Sequence, residues 1–166
     1  MFRLFAVVAA LTLVFALQGA VAQSGREAPD FTLENLDGDW VSLQDVVGDG
    51  PVLISFWATW CRPCLEELRE LQQLYEEYEP RGLTMLAIST DSERSIAKVK
   101  PLVRSKGYTF QVLLDTNSDV ARLYYAQNIP YTVIIDSAGS IVYTHMGYRA
   151  GDELEVKEMI DRLLGD

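Results

Sequence analysis

Apolar residues in this chain follow two rhythms, and each marks a type of element. Val52 to Trp57 is an apolar run, with Ser55 its one polar residue, after the breaker Gly48-Asp49-Gly50-Pro51, which predicts a strand buried on both faces. Beyond it, Leu65, Leu68, Leu71, Leu74, Tyr75 and Tyr78 recur every three or four residues. Glu66, Glu67, Arg69, Glu70, Gln72, Gln73, Glu76 and Glu77 fill the gaps. That spacing predicts an amphipathic helix from about Cys61 to Tyr78, ended by Pro80-Arg81-Gly82. Leu83 to Thr90 is a second buried strand. Asp91-Ser92-Glu93 reads as a helix start, and the segment to Lys106 as helical, kinked or divided at Pro101 and closed by Gly107. Phe110 to Leu114 is a strand, and Asn117-Ser118-Asp119 opens a short helix to about Tyr125, with Tyr124 and Tyr125 as packing residues. Tyr131 to Asp136 and Ser140 to His145 form a hairpin over Ser137-Ala138-Gly139. Glu153 to Leu164 closes the chain as a helix with Leu154, Val156, Met159, Ile160 and Leu163 inward. Upstream, Ser24 to Ala28 reads as a flexible entry. Phe31 to Leu33 and Trp40 to Leu43 pair around Leu36-Asp37-Gly38-Asp39. This order suits an α/β fold, a mixed sheet with helices on both faces.

The first residues follow a different pattern. Arg3 precedes an apolar stretch, Leu4 to Leu17, and Ala20-Val21-Ala22 is a small-residue cleavage signature. Residues 1–22 are therefore expected to be a signal peptide, or an uncleaved membrane anchor, and 23–166 the folded domain. Either form exports the domain to a disulfide-tolerant compartment, periplasmic or otherwise extracytoplasmic. The net charge of −10 argues against nucleic acid and anionic lipid as partners.

Composition matters most at two residues. Cys61 and Cys64 are the only cysteines, spaced C-x-x-C where strand gives way to helix. Such a pair can be half of a zinc site, a structural staple or a redox dithiol. Zinc needs two more ligands, and only His145 stands beyond ordinary carboxylates; a lone His145 reads as a surface or packing residue, so no metal is expected. A staple across one helical turn restrains the unfolded chain little. A cysteine opening a helix lies beside unpaired N–H groups and the positive end of the helix dipole, both of which favour thiolate. Pro63 fits the first turn, and Arg62 adds positive charge beside Cys61. Redox chemistry is the favoured reading, with Cys64 facing inward as the resolving thiol.

The segment Phe56-Trp57-Ala58-Thr59-Trp60-Cys61-Arg62-Pro63-Cys64 resembles the active-site segment of the thioredoxin superfamily. Ala28-Pro29-Asp30-Phe31-Thr32-Leu33, Asn128-Ile129-Pro130-Tyr131-Thr132 and Ile134-Ile135-Asp136-Ser137-Ala138-Gly139 extend the likeness to its TlpA/ResA-like branch, with an AhpC/TSA-redoxin type domain. The resemblance implies a thioredoxin fold with a β-hairpin before the core, and a cis-proline at Pro130 facing Cys61 and Cys64. Tyr131 departs from the threonine that usually follows. Trp57 is expected in the core and Trp60 at the active site against a bound partner. For a proton acceptor to Cys64, the buried aspartate of thioredoxins is replaced by Ser55, and the likeness points to a carboxylate after the next strand. Asp91 is the candidate, its plain alternative being a helix cap. The implied activity is thiol–disulfide exchange with protein disulfides and no cofactor, through a redox-active Cys61–Cys64 disulfide. The protein would act as a monomer, re-reduced by a membrane thiol electron donor, with cytochrome c biogenesis or copper-site cysteines as target classes. Three alternatives remain: a copper-binding module, a disulfide-donating oxidant, and a peroxiredoxin. The last needs a P-x-x-x-T-x-x-C pattern, which Ile54 and Ala58 fail before Cys61, and Trp57 and Cys61 before Cys64.

Overall fold

The computed structural model describes residues 25–165, so the expected leader, 1–22, lies outside the described residues. In chain order the elements are β1 (Arg26–Glu27), β2 (Thr32–Asn35), β3 (Trp40–Ser42), β4 (Val52–Trp57), α1 (Arg62–Tyr78), β5 (Thr84–Ser89), α2 (Val99–Lys106), β6 (Gln111–Leu114), α3 (Asp119–Leu123), β7 (Tyr131–Ile135), β8 (Ser140–Met146) and α4 (Glu153–Leu164). Among the described residues eight strands form one sheet in the order β1-β8-β7-β4-β5-β6-β2-β3. β4, β5 and β6 run parallel, and the remaining neighbours are antiparallel.

The alternation of β4 divides the core. Leu53 and Trp57 point to one face, where Leu68, Leu71, Leu74 and Tyr78 of α1, Val99 and Val103 of α2, and Val156 and Ile160 of α4 cover them. Val52, Ile54 and Phe56 point to the other, under α3 and the N-terminal hairpin, among Phe31, Leu43, Val120 and Tyr124. The connections β4–α1–β5 and β5–α2–β6 step the same way across the sheet. Crossovers of one hand then put α1 and α2 on one face. Tyr78 ties α4 to α1: its hydroxyl donates to Asp161, Lys157 Nζ bonds the same oxygen, and Arg81 lies 4.6 Å over its ring.

Several expectations shift. The entry segment is not free, because Arg26–Glu27 pairs with Ile141 and Ser140 of β8, and Arg26 lies 5.1 Å over the Tyr125 ring. Asp91 caps no helix; a single 3-10 turn, Ile96–Lys98, leads into α2, whose first turn tolerates Pro101. Asp115 opens α3, accepting the backbone N–H groups of Asp119 and Ala121 at 2.9 and 2.8 Å. Leu154, expected inward, is 64 % exposed, since it sits in the first turn of α4 beyond the sheet it would have to cover.

The loops entering β4 and β5 meet at Gly50, where a Cβ would fall 2.2 Å from the Gly82 carbonyl oxygen. Gly50→Ala is expected to lower stability by about 1–3 kcal/mol, read as an earlier urea midpoint, because backbone on both sides must shift.

Candidate active site

Cys61 is the N-cap of α1, with extended backbone (φ −88°, ψ 99°). Its Sγ accepts the Cys64 backbone N–H at 3.3 Å, so the first unpaired donors of the helix are aimed at this sulfur. Pro63 falls in the first turn, where an N–H would go unused. The two sulfurs form a disulfide with an S–S distance of 2.05 Å. Cys61 retains 6 % exposure and Cys64 none, so of the two only Cys61 borders the surface. Arg62 does less than its sequence position suggests. Its side chain is 91 % exposed and bonds Glu66 at 3.2 Å, so its charge is screened by water and a carboxylate. The helix terminus is the main stabiliser of a Cys61 thiolate.

Asp91 is fully buried, and its carboxylate is bonded to the loop that leads into the motif. Its carboxylate accepts the Thr59 backbone N–H and hydroxyl, each at 2.7 Å, and the Ser89 hydroxyl at 2.9 Å. The Thr90 N–H donates to the Trp57 carbonyl at 2.8 Å. Asp91 thus clamps the segment that carries Trp60 and Cys61 onto the end of β5. Its expected place behind the motif is thus accompanied by a structural task, that of holding the backbone.

The carboxylate beneath Cys64 is Glu67, which the sequence reading counted on the polar face. It lies one turn along α1 from Cys64, at the spacing that brings helix neighbours together. It is 3 % exposed and accepts hydroxyl bonds from Ser55 (3.0 Å) and Thr132 (2.7 Å), residues paired across β4 and β7. Burial raises its pKa to about 7, outweighing the two hydroxyl bonds that pull it down. The phase of α1 carried the signal: Cys64, Glu67, Leu71 and Leu74 share one face.

The Ile129–Pro130 peptide is cis. Pro130 and Pro63 line a cleft of about 540 Å³ with His145, Tyr148, Arg149 and Asp152. A second cleft, of about 310 Å³, is lined by Trp60, Thr90, Arg122 and Gln127, and Ile129 borders both. Trp60 is 68 % exposed at its rim, whereas Trp57 is fully buried in the core. His145 is not alone. Its Nε2 lies 3.1 Å from Asp152 Oδ2, and its ring stacks on Tyr143.

This sheet, with C-x-x-C at a helix N-terminus beside a cis-proline and a buried acid behind, defines a thioredoxin-fold thiol–disulfide oxidoreductase acting on protein substrates. The chain belongs to the AhpC/TSA family, whose sequence profile matches residues 24–144. It is 37 % identical over 140 residues to the thioredoxin-like protein YneN of Bacillus subtilis, covering 84 % of this chain and 81 % of the relative. It is 34 % identical over 133 residues to the thiol–disulfide oxidoreductase ResA of Bacillus thuringiensis, covering 80 % and 75 %. The solution structure of a thioredoxin-like protein from Porphyromonas gingivalis matches with a TM-score of 0.71 and 36 % identity, over 84 % of this chain and 94 % of that one. A crystal structure from Chlorobium tepidum, assigned as the thiol:disulfide interchange protein DsbE, matches with a TM-score of 0.78 and 28 % identity, over 86 % and 98 %. Ile54 and Ala58, where peroxide reduction would need proline and threonine, are buried apolar positions that offer a peroxide no hydroxyl.

Two substitutions separate the buried acids. Glu67 binds its proton more tightly folded than unfolded, so its contribution to stability is present below pH 4.5 and is lost as pH rises to about 7. Glu67→Gln is therefore expected to be more stable than the wild type at pH 8, by up to about 3 kcal/mol, with the gain vanishing near pH 4 in urea titrations. Asp91→Ala is expected to cost about 2–3 kcal/mol at neutral pH, since it orphans the Thr59 donors.

Proposed function

We propose that this chain reduces disulfides of partner proteins outside the cytoplasm, with Glu67 as the proton acceptor of the resolving thiol. The observation that carries the reading is the burial of Glu67 one turn beneath a fully buried Cys64, while Cys61 keeps slight exposure and its neighbours Trp60 and Pro63 each line a cleft. In the reduced protein the Cys61 thiolate attacks one sulfur of a target disulfide. A Cys61–target bond forms, and the other target sulfur leaves as a thiolate that takes a proton from water. Glu67, as carboxylate, then takes the proton of the Cys64 thiol. The Cys64 thiolate attacks Cys61 Sγ, closes the Cys61–Cys64 disulfide and releases the second target thiolate. Two electrons pass from the protein to the target. An acid titrating near neutral pH is well matched to this transfer.

An extended target chain fits along Ile129, because the Pro130 carbonyl is already bonded by the Gly147 N–H at 2.8 Å. Trp60 on one side and Tyr148 and Arg149 on the other would flank it. The likeness to TlpA/ResA-like proteins supports cytochrome c maturation as the setting, with a membrane thiol donor restoring the dithiol. The same likeness supports residues 23–166 as the exported, monomeric domain behind a leader at 1–22. The charge of −10 leaves nucleic acid a poor partner.

Cys64→Ser is expected to accumulate a mixed disulfide between Cys61 and an insulin or peptide substrate, visible on non-reducing gels. Cys61→Ala should form none and lose at least about 100-fold in reduction rate. A Cys61→Ala protein that still reduces insulin at the wild-type rate ends this reading.

A further inference from the structure

The register of the sheet places a polar row beneath α1. Ser55 of β4 is opposite Thr132 of β7, and Thr132 is opposite His145 of β8. Residues directly opposed in antiparallel strands share a face, with Cβ atoms about 4.5–5.5 Å apart. The next row on that face, Leu53, Ile134 and Tyr143, is largely apolar. Polar groups on a covered sheet face are costly unless they are paired. Here Glu67 bonds the first two members, and the row runs outward to His145, which opens on the cleft beside Pro63 and Pro130.

The imidazole is anchored. Asp152 Oδ2 holds its Nε2 at 3.1 Å and is itself fixed by the Arg149 backbone N–H at 2.7 Å. The charged and titratable groups around the ring are Glu67 from α1, Asp152 and Glu155 at the start of α4, Tyr148 and Arg149 from the preceding loop, and Tyr143 from its own strand. From β7 only the uncharged Thr132 stands between the ring and Glu67. His145 and Asp152 are near enough for their charges to act on the Glu67 carboxyl, in opposite directions. Histidine is the side chain whose ordinary charge change falls between pH 5 and 8, the window in which Glu67 must be a carboxylate to serve Cys64.

We propose that His145, anchored by Asp152, is a positioning residue whose positive charge keeps Glu67 ionised and so available as the base for Cys64. The inference rests on the reading of Glu67 as proton acceptor. It adds that the working pH, which burial of Glu67 raises, is adjusted downward from β8. The tether matters because a free imidazole could turn into the cleft, whereas Asp152 keeps it beside Thr132.

The test reads the resolving step alone. Reduced protein is mixed with dithiobis-nitrobenzoate in a stopped-flow instrument, and release of the second thionitrobenzoate, which reports attack by Cys64, is followed against pH. In His145→Gln the midpoint of the acid limb is expected to rise by about one pH unit, with a rate about tenfold lower below it. In His145→Lys, which keeps a positive charge, the midpoint stays at or below the wild-type value. Carbon NMR titration of the Glu67 carboxyl in the oxidised proteins should show the same two displacements without any turnover. Glu67→Gln should lose the limb altogether. A Glu67→Gln protein that keeps the limb overturns the reading of Glu67 itself. If Glu67→Gln loses it, but Gln and Lys at 145 leave the midpoint in place or move it the same way, the role of His145 alone is overturned.

Discussion

The site depends on a carboxyl group held out of water. Glu67 sits in the interface between α1 and the sheet, where a charge is expensive, and the Ser55 and Thr132 hydroxyls offset part of that expense. A leucine there would pack at no such cost. Burial converts an ordinary acid into one that exchanges protons near neutral pH, and the stability lost on ionisation is the same free energy that makes it a usable base. Strand register, helix phase and the outward polar row all bear on this one group.

The two sulfurs differ for a related reason. Cys61 ends the loop and begins the helix, so it keeps a slight exposure and meets the unpaired N–H groups. Cys64, one turn on, has rotated into the core above Glu67. A thiolate is therefore stabilised at the first position by helix geometry, whereas the second needs a proton acceptor. The asymmetry of the reaction follows from the rotation per residue of an α-helix. Asp91 contributes by fixing the loop so that this geometry is present before a partner arrives.

Much of this was legible in the sequence. The β4 run and the spacing of α1 and α4 were read almost to the residue, because strong apolar periodicity leaves few alternatives. The C-x-x-C at the strand-to-helix junction located the pair that the structure joins as a disulfide. Glu67 was not read because glutamates surround it, and only its phase relative to Leu71 and Leu74 distinguishes it from its exposed neighbours. The clamp that Asp91 makes was not read, because its partner Thr59 lies 32 residues away in sequence. The pairing of Arg26–Glu27 with β8 was missed for the same reason, and the His145–Asp152 pair, only seven residues apart, because a loop brings it together. Edge pairing and a contact across a glycine-rich loop have no local pattern to reveal them.

The central claim, that this dithiol delivers electrons to protein disulfides, is tested most directly by the reduction potential of the Cys61–Cys64 couple, equilibrated against dithiothreitol or glutathione buffers. A reductase of this kind is expected to show a thioredoxin-like value, near or below roughly −250 mV. A value near about −120 mV would mark a strongly stabilised reduced form and a donor of disulfides, and would contradict the proposed direction of transfer.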